Sequence, residues 1–394
     1  MPVIGDFIKI KHGYAFKGDY ISTEDNNIVL VTPGNFAIGG GFKEQKCKFY
    51  IGKYPDDYVL KEDDLIVTMT DLSKSVDTLG YGALVPSSNK RVYLHNQRIG
   101  LVQFISDKID KHYLYWYMRT SRYQRSIVAT SSGSTVHHTS PDRICEVEIE
   151  VPEMKIQKKI AGFLDDIEEK INVNENINRN LSEQAKALFE EELLKFDSVP
   201  EGWKKGSLSD IADYLNGLAM QKFRPGDDEK GLPVLKIKEL RQGSCDANSE
   251  LCSLNIKPEY IIHDGDVIFS WSGSLLVDFW CGGECGLNQH LFKVTSKKYD
   301  KWFYYAWTLY HLDRFIAVAA DKATTMGHIK REELSKAEVL IPDSDSYKRI
   351  GEVLGPLYDM IISNRVENRR LATLRDELLP MLMSGKKDAS EVEL

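Results

Sequence analysis

Residues 160–188 read IAGFLDDIEEKINVNENINRNLSEQAKAL, and residues 350–378 read IGEVLGPLYDMIISNRVENRRLATLRDEL. Laid over one another, Leu164 meets Leu354, Ile171 meets Ile361, Asn174 meets Asn364, and Asn178-Arg179 meets Asn368-Arg369. The offset is 190 residues throughout. It extends backward without a gap through Lys159-Ile160 and Arg349-Ile350, and through Val151-Pro152 and Ile341-Pro342, to Thr135-Val136 and Thr325-Met326. A repeat of this length is one structural unit made twice. The duplication predicts approximate two-fold symmetry, suited to a partner that is itself two-fold.

Within the repeat the apolar residues step by four and three. The first copy gives Ile160, Leu164, Ile167, Ile171, Asn174, Asn178, Leu181 and Leu188. The second gives Ile350, Leu354, Leu357, Ile361, Asn364, Asn368, Leu371 and Leu378 in the same phase. That is the seam of a coiled coil. A helix of about 40 residues is on the order of 60 Å long and needs a partner for its seam. The other copy supplies one, and the expectation is an antiparallel pair. Two successive seam positions in each copy are Asn, which costs stability but fixes register because each amide must find a polar partner. Antiparallel pairing lets the asparagines of the two copies face each other. Pro356 removes a backbone hydrogen bond and predicts a kink or a fresh helix start.

Outside these stretches the chain is irregular. Short β-branched and aromatic runs are broken by Gly, Asn, Asp and Pro, as in Leu65-Ile66-Val67-Thr68 and Val267-Ile268-Phe269-Ser270, which read as strands after turns. Each irregular segment then carries an aromatic helix, Tyr113–Met118 and Trp302–Trp307. Rings nearly all round such a helix argue for burial, with base stacking as the sharper alternative. The expected class is α+β: two mixed α/β domains, 1–151 and 199–341, alternating with helical regions 152–198 and 342–394.

The chain has 394 residues, too many for one ordinary core. No apolar run approaches a membrane span and the start has no signal-like core, so a cytoplasmic protein is expected. The net charge of −8 is unlike that of a nucleic-acid binder, but the acidic excess is greatest over 152–198 and the two irregular segments are near neutral. Phosphate attraction would then be local and modest. Cys245, Cys252, Cys281 and Cys285 cluster in the second half without the tight paired spacing of a zinc site, and read as reduced thiols.

The layout resembles the specificity (S) subunit of type I restriction–modification enzymes over essentially the whole chain. The phrases that carry the resemblance are Val199-Pro200-Glu201-Gly202-Trp203 with Leu208-Ser209-Asp210-Ile211, the Asn-Gln pairs Asn96-Gln97 and Asn288-Gln289, the Val151-Pro152 and Ile341-Pro342 exits, and the Leu378–Lys386 close. The first domain departs by lacking the Trp-containing lead-in seen at Trp203. The resemblance implies two target-recognition domains, each reading one half of a bipartite double-stranded DNA target. The helical pair then acts as a spacer ruler and as a dock for two methyltransferase subunits, joined in a full complex by restriction subunits. It implies a non-catalytic chain without cofactor of its own; S-adenosylmethionine, ATP and Mg belong to the partners.

The residues agree with that implication. The chain has no Asn/Asp-Pro-Pro-aromatic tetrapeptide and no phosphate-cradling loop, and Asp56-Asp57 and Asp63-Asp64 read as solvated turns. Base edges and phosphates call for donors and acceptors on loops. Two loops hold equivalent places after the aromatic helices: one with Ser134, Thr135, His137 and His138, the other with Lys322, Thr324, Thr325 and His328. A second pair follows the mid-domain strands, with Ser73 and Lys74 in one copy and Ser272 and Ser274 in the other. Arg119, Arg122 and Arg125, spaced along the end of the first aromatic helix, are candidate phosphate ligands. Asn96-Gln97 and Asn288-Gln289 read as structural. A competing reading is a structural coiled-coil adaptor that ignores DNA; the divergence of the two irregular domains counts against it.

Overall fold

The computed structural model of the chain describes residues 1–388 apart from 74, 134 and 322–328. The chain forms two compact units, Met1–Glu169 with Thr373–Leu394, and Lys170–Ala372. Two 40-residue helices, Met154–Leu193 and Ser344–Met383, contribute a stretch to each unit.

The two units repeat a sheet topology that the sequence offset does not reveal. In the first, an antiparallel sheet runs in the order Ile8–His12, Ile99–Phe104, Leu65–Thr68, Gly82–Leu84. In the second the order is Asp213–Asn216, Leu291–Thr295, Val267–Ser270, Leu276–Phe279. Each unit adds a second sheet built on a parallel pair, Ile28–Val31 with Val92–His95 and Leu232–Leu235 with Cys285–Leu287. In both, the chain leaves the parallel pair and enters the antiparallel sheet through a three-residue turn. The consecutive apolar residues of Leu65–Thr68 and Val267–Ser270 are buried throughout, as expected for strands covered on both faces.

The antiparallel sheet of each unit packs on its aromatic helix and on the long helices. In the first unit Tyr113, Leu114 and Trp116 join Ile160, Leu164, Leu378 and Leu382 in one core. In the second, Phe303 and Trp307 join Phe189, Leu193, Ile350, Leu354 and Ile361. Each fully buried large side chain contributes about 1.5–3 kcal/mol. The rings of Tyr113–Met118 and Trp302–Trp307 are at most 8% exposed, so none of them has a face left for a base, and the stacking alternative is set aside for them. The first aromatic helix is also shorter than its sequence suggests. It spans Lys111–Tyr117, and a new helix runs Ser121–Ala129, N-capped by the Thr120 hydroxyl accepting from the Tyr123 amide.

Within the second unit the long helices pair antiparallel. Asn174 donates to Asn368 Oδ1 (2.8 Å) and to Glu367 (2.7 Å), and Asn364 donates to Asn178 Oδ1 (2.9 Å). The remaining amides of Asn178 and Asn368 reach the carbonyls of Ile361 and Ile171. The first asparagine of one copy therefore meets the second of the other, and conversely, which is the exchange expected of a local two-fold. Arg349 and Glu192 add a forked ion pair (2.9 and 2.7 Å). Of the seam residues here, Asn174, Ile350, Leu354 and Ile361 are buried, and Ile171, Asn178, Leu181, Leu188, Leu357, Asn364, Asn368 and Leu371 half-buried. In the first unit Ile160, Leu164, Ile167 and Leu378 are buried, and Arg375 reaches Glu168 (2.7 Å).

Pro356 does not restart the helix, which is unbroken from Ser344 to Met383. The carbonyl deprived of its bond belongs to Glu352, which is exposed and can be met by water. The missing tryptophan lead-in has a visible counterpart at the first unit's edge. Lys204–Ser207 pairs with Glu338–Ile341 over four residues, with Trp203 against Phe196 (5.2 Å). At the N-terminus only the Val3–Glu148 bridge forms, flanked by bonds from Ile4 to Val147 and from Ile149 to Pro2.

Candidate nucleic-acid interface

The two candidate loops of the first unit form one surface. Beyond the strand Leu65–Thr68, residues Thr70–Asp71 pair antiparallel with His137–His138, and the Thr139 amide donates to the Met69 carbonyl (3.0 Å). The hairpin is closed by reciprocal backbone bonds between Ser132 and His138 (3.0 and 2.9 Å). Thr135 at its tip and His138 on its flank are exposed, and His137 is half-buried. The Thr70 hydroxyl lies 3.1 Å from His138 Nδ1. Ser134 lies outside the described residues.

Asp71 organises the other loop. Its buried carboxylate accepts from the amides of Ser73 and Thr78 (2.6 Å each) and from the Thr78 hydroxyl (2.7 Å). Burial alone would raise its pKa, but these donors hold it below the ordinary carboxylate value. Ser73 spends its hydroxyl on Asp77 (2.9 Å), inside the loop. Lys74 lies outside the described residues.

The second unit repeats the arrangement with other residues. The Ser270 hydroxyl donates to the Ser272 carbonyl (3.3 Å), as the Thr68 hydroxyl does to that of Thr70 (3.0 Å). The Ile329 amide donates to the Trp271 carbonyl (3.1 Å), matching Thr139 and Met69. Ser272 is buried, with its hydroxyl 3.1 Å from His290 Nδ1, while Ser274 is exposed. Thus a hydroxyl and an imidazole meet at the end of the same strand in both units, although the histidine comes from a different segment. Lys322, Thr324, Thr325 and His328 lie outside the described residues.

The arginines do not form one basic face. Arg119 is buried, stacked 4.4 Å over Trp116. It donates to the Gly39 carbonyl (2.9 Å) and the Tyr115 hydroxyl (2.7 Å), and lies 3.5 Å from Glu168. Its guanidinium is therefore committed to joining the domain to the long helix. Arg122 is exposed and paired with Glu150 (3.1 Å). Glu168, between Arg119 and Arg375, is held below the usual carboxylate range against the opposing effect of burial.

Other junctions fasten each domain to its helices. In the second unit Arg369 grips Asp264 through both terminal nitrogens (2.6 and 2.8 Å), and Arg365 reaches Asp278 (2.7 Å). In the first, Trp116 Nε1 donates to Asp165 (2.8 Å), whose other oxygen lies 2.7 Å from His112 Nδ1. Asp165 beside it raises the His112 pKa, with burial opposing and Asp63 adding to the effect.

A third segment, at the edge of the candidate interface, lies outside the 190-residue register. Gly13-Tyr14-Ala15 and Gly217-Leu218-Ala219 each form a parallel bridge to the following Asn-Gln turn, Tyr14 to Asn96 and Leu218 to Asn288. The signal was the repeated Gly-x-Ala triplet, displaced by unequal loop lengths. All six cysteines are free thiols. Among the described residues, no three His, Cys, Asp or Glu side chains are grouped for a metal ion, and no helix is long and apolar enough to cross a membrane.

Comparison with known proteins gives a consistent picture. Residues 3–183 and 200–372 each match the Type I restriction modification DNA specificity domain. The type I restriction enzyme MjaIX specificity subunit of Methanocaldococcus jannaschii is 24% identical over 316 residues, covering 73% of this chain and 71% of its own length. The EcoBI specificity subunit of Escherichia coli is 23% identical over 210 residues, 51% of this chain and 43% of its own. The solved S subunit of a type I restriction-modification system from M. genitalium superposes with a TM-score of 0.60 at 14% identity, covering 97% of this chain and 95% of that one. At that identity the likeness speaks for the fold.

Proposed function

The chain belongs to the type I restriction modification DNA specificity family, and from that premise we propose that it is the sequence-reading subunit of a type I restriction–modification complex. Each domain reads one half of a bipartite double-stranded DNA target. The helix pair sets the spacer between the halves and docks two methyltransferase subunits, with restriction subunits in the full complex. Catalysis, S-adenosylmethionine, ATP and Mg belong to those partners. The observation that carries this reading is a repeated sheet-and-turn frame whose equivalent strand ends are completed by different segments, Thr70 by His138 of the late hairpin and Ser272 by His290 of the Asn-Gln turn. A detector of two unlike half-sites needs a constant frame and variable reading edges. The weak acidic balance fits a chain whose phosphate attraction is shared with partners.

The test is to express the chain with its methyltransferase and map methylated adenines across a genome. A single split motif is expected. Replacing residues 1–151 with another recognition domain should change one half of that motif and leave the other. An assembled complex that methylates without sequence preference would refute the proposal.

A further inference from the structure

Each domain carries a turn whose scaffold is shared and whose last residue is not. Asn96-Gln97-Arg98 joins Val92–His95 to Ile99–Phe104, and Asn288-Gln289-His290 joins Cys285–Leu287 to Leu291–Thr295. The asparagine is buried in both. Its Oδ1 accepts the amide of the third residue, Arg98 at 3.2 Å and His290 at 3.3 Å. Its carbonyl accepts the next amide, from Ile99 and Leu291, both at 3.0 Å. A glycine lies against that carbonyl. A Cβ on Gly13 would stand 2.0 Å from the Asn96 oxygen, and one on Gly217 2.2 Å from that of Asn288. The backbone of the third residue is therefore fixed in the same way twice.

That residue stands on the candidate interface. The Arg98 carbonyl accepts from the Met69 amide (3.0 Å), next to the Thr70–Asp71 strand. His290 Nδ1 meets the hydroxyl of Ser272 (3.1 Å), the counterpart of Thr70. The Arg98 side chain is exposed and has no partner among the described residues. His290 is half-buried, with Nε2 3.3 Å from the side-chain Nε2 of Gln289. The two copies keep Asn and Gln and differ only in this third position.

We propose that Arg98 in the first domain and His290 in the second are specificity determinants, each for one base pair of its half-site. The inference rests on the DNA-reading function above. A free guanidinium presents paired N–H donors that fit O6 and N7 of guanine. His290 has one ring nitrogen held by Ser272 and the other beside Gln289, so it offers no such fork and selects differently. The first half-site accordingly contains a G·C pair whose identity depends on Arg98.

The test uses the full chain assembled with its methyltransferase, and compares adenine-methylation motifs for the wild type, R98H, R98K and H290R. R98H should lower the preference at one position of the first half roughly tenfold or more and leave the second half unchanged. R98K, which keeps the charge but loses the fork, should relax the same position. H290R should alter one position of the second half alone. Unchanged motifs in R98H and H290R would overturn the inference. So would uniform weakening at all sites with the motif intact and a salt slope reduced by about one, which marks a phosphate contact. If one variant does not assemble, the variant in the other domain decides. A wild-type complex that yields no split motif would instead refute the DNA-reading function itself.

Discussion

Asp71 shows how far a single side chain can organise a candidate interface loop. Its carboxylate collects three donors from Ser73 and Thr78, and D71A leaves them without an acceptor. We expect D71A to cost about 1–3 kcal/mol, read by chemical denaturation. The pH dependence follows from its lowered pKa. The stabilisation is complete above the unfolded carboxylate value near 4 and is lost as pH falls through the lower folded value. D71N should flatten that acid limb in a series of thermal melts. His112 works in the opposite sense. Its folded pKa is raised by Asp165, with Asp63 assisting and Lys111 opposing. Its contribution is therefore complete below about 6.5 and fades as pH rises through the raised value. H112Q should remove that decline, and a melting temperature that still falls over the same range would refute the assignment. Residue types were legible in the sequence here, but their directions were not. Ser73 turns inward to Asp77. Arg119, expected at a phosphate, is stacked on Trp116 and faces Glu168, contacts made by residues that only the folded chain brings near.

At the scale of elements, the long helices were readable because burial recurs along a seam with a fixed period. The asparagines fix the register through amide pairs between the copies. N174A should destabilise by about 1–3 kcal/mol, because it strips a partner from both Asn368 and Glu367. The double change of Asn174 and Asn368 to Leu should recover stability and loosen register, seen as a higher melting temperature and, under the proposed function, weaker discrimination of spacer length. The short strands were less legible. Thr70–Asp71 is two residues long, and its partner His137–His138 is distant in sequence; no local pattern announces such a pair. The sheet frame does leave one trace, Gly13 and Gly217 against the asparagine carbonyls. G13A or G217A should cost at least about 2 kcal/mol, since backbone rather than a flexible side-chain end must move. A circular-dichroism denaturation curve matching the wild type would contradict this.

At the scale of the molecule, the duplication was legible where it is nearly gapless and hidden where loops differ in length. Comparing strand order reveals that the domains share a frame as well, with Ile8–His12 standing for Asp213–Asn216 and Leu65–Thr68 for Val267–Ser270. The compact units do not follow the alternation of segments in sequence. Leu378, Leu379, Leu382 and Met383 complete the core that begins at Ile4 and Phe7. Ending the chain after Ala372 should therefore unprotect residues in 1–169 to hydrogen exchange while those in 199–341 stay protected. The same feature has a consequence on the ribosome. Every residue of Lys170–Ala372 has been synthesised before the segment that the first unit still lacks. The domain made first is thus the one finished last, the reverse of the usual N-terminal-first order. Until the segment from Thr373 emerges, the uncovered face of that nascent domain is a natural client for chaperones and a point at which a stalled or truncated chain is singled out for degradation.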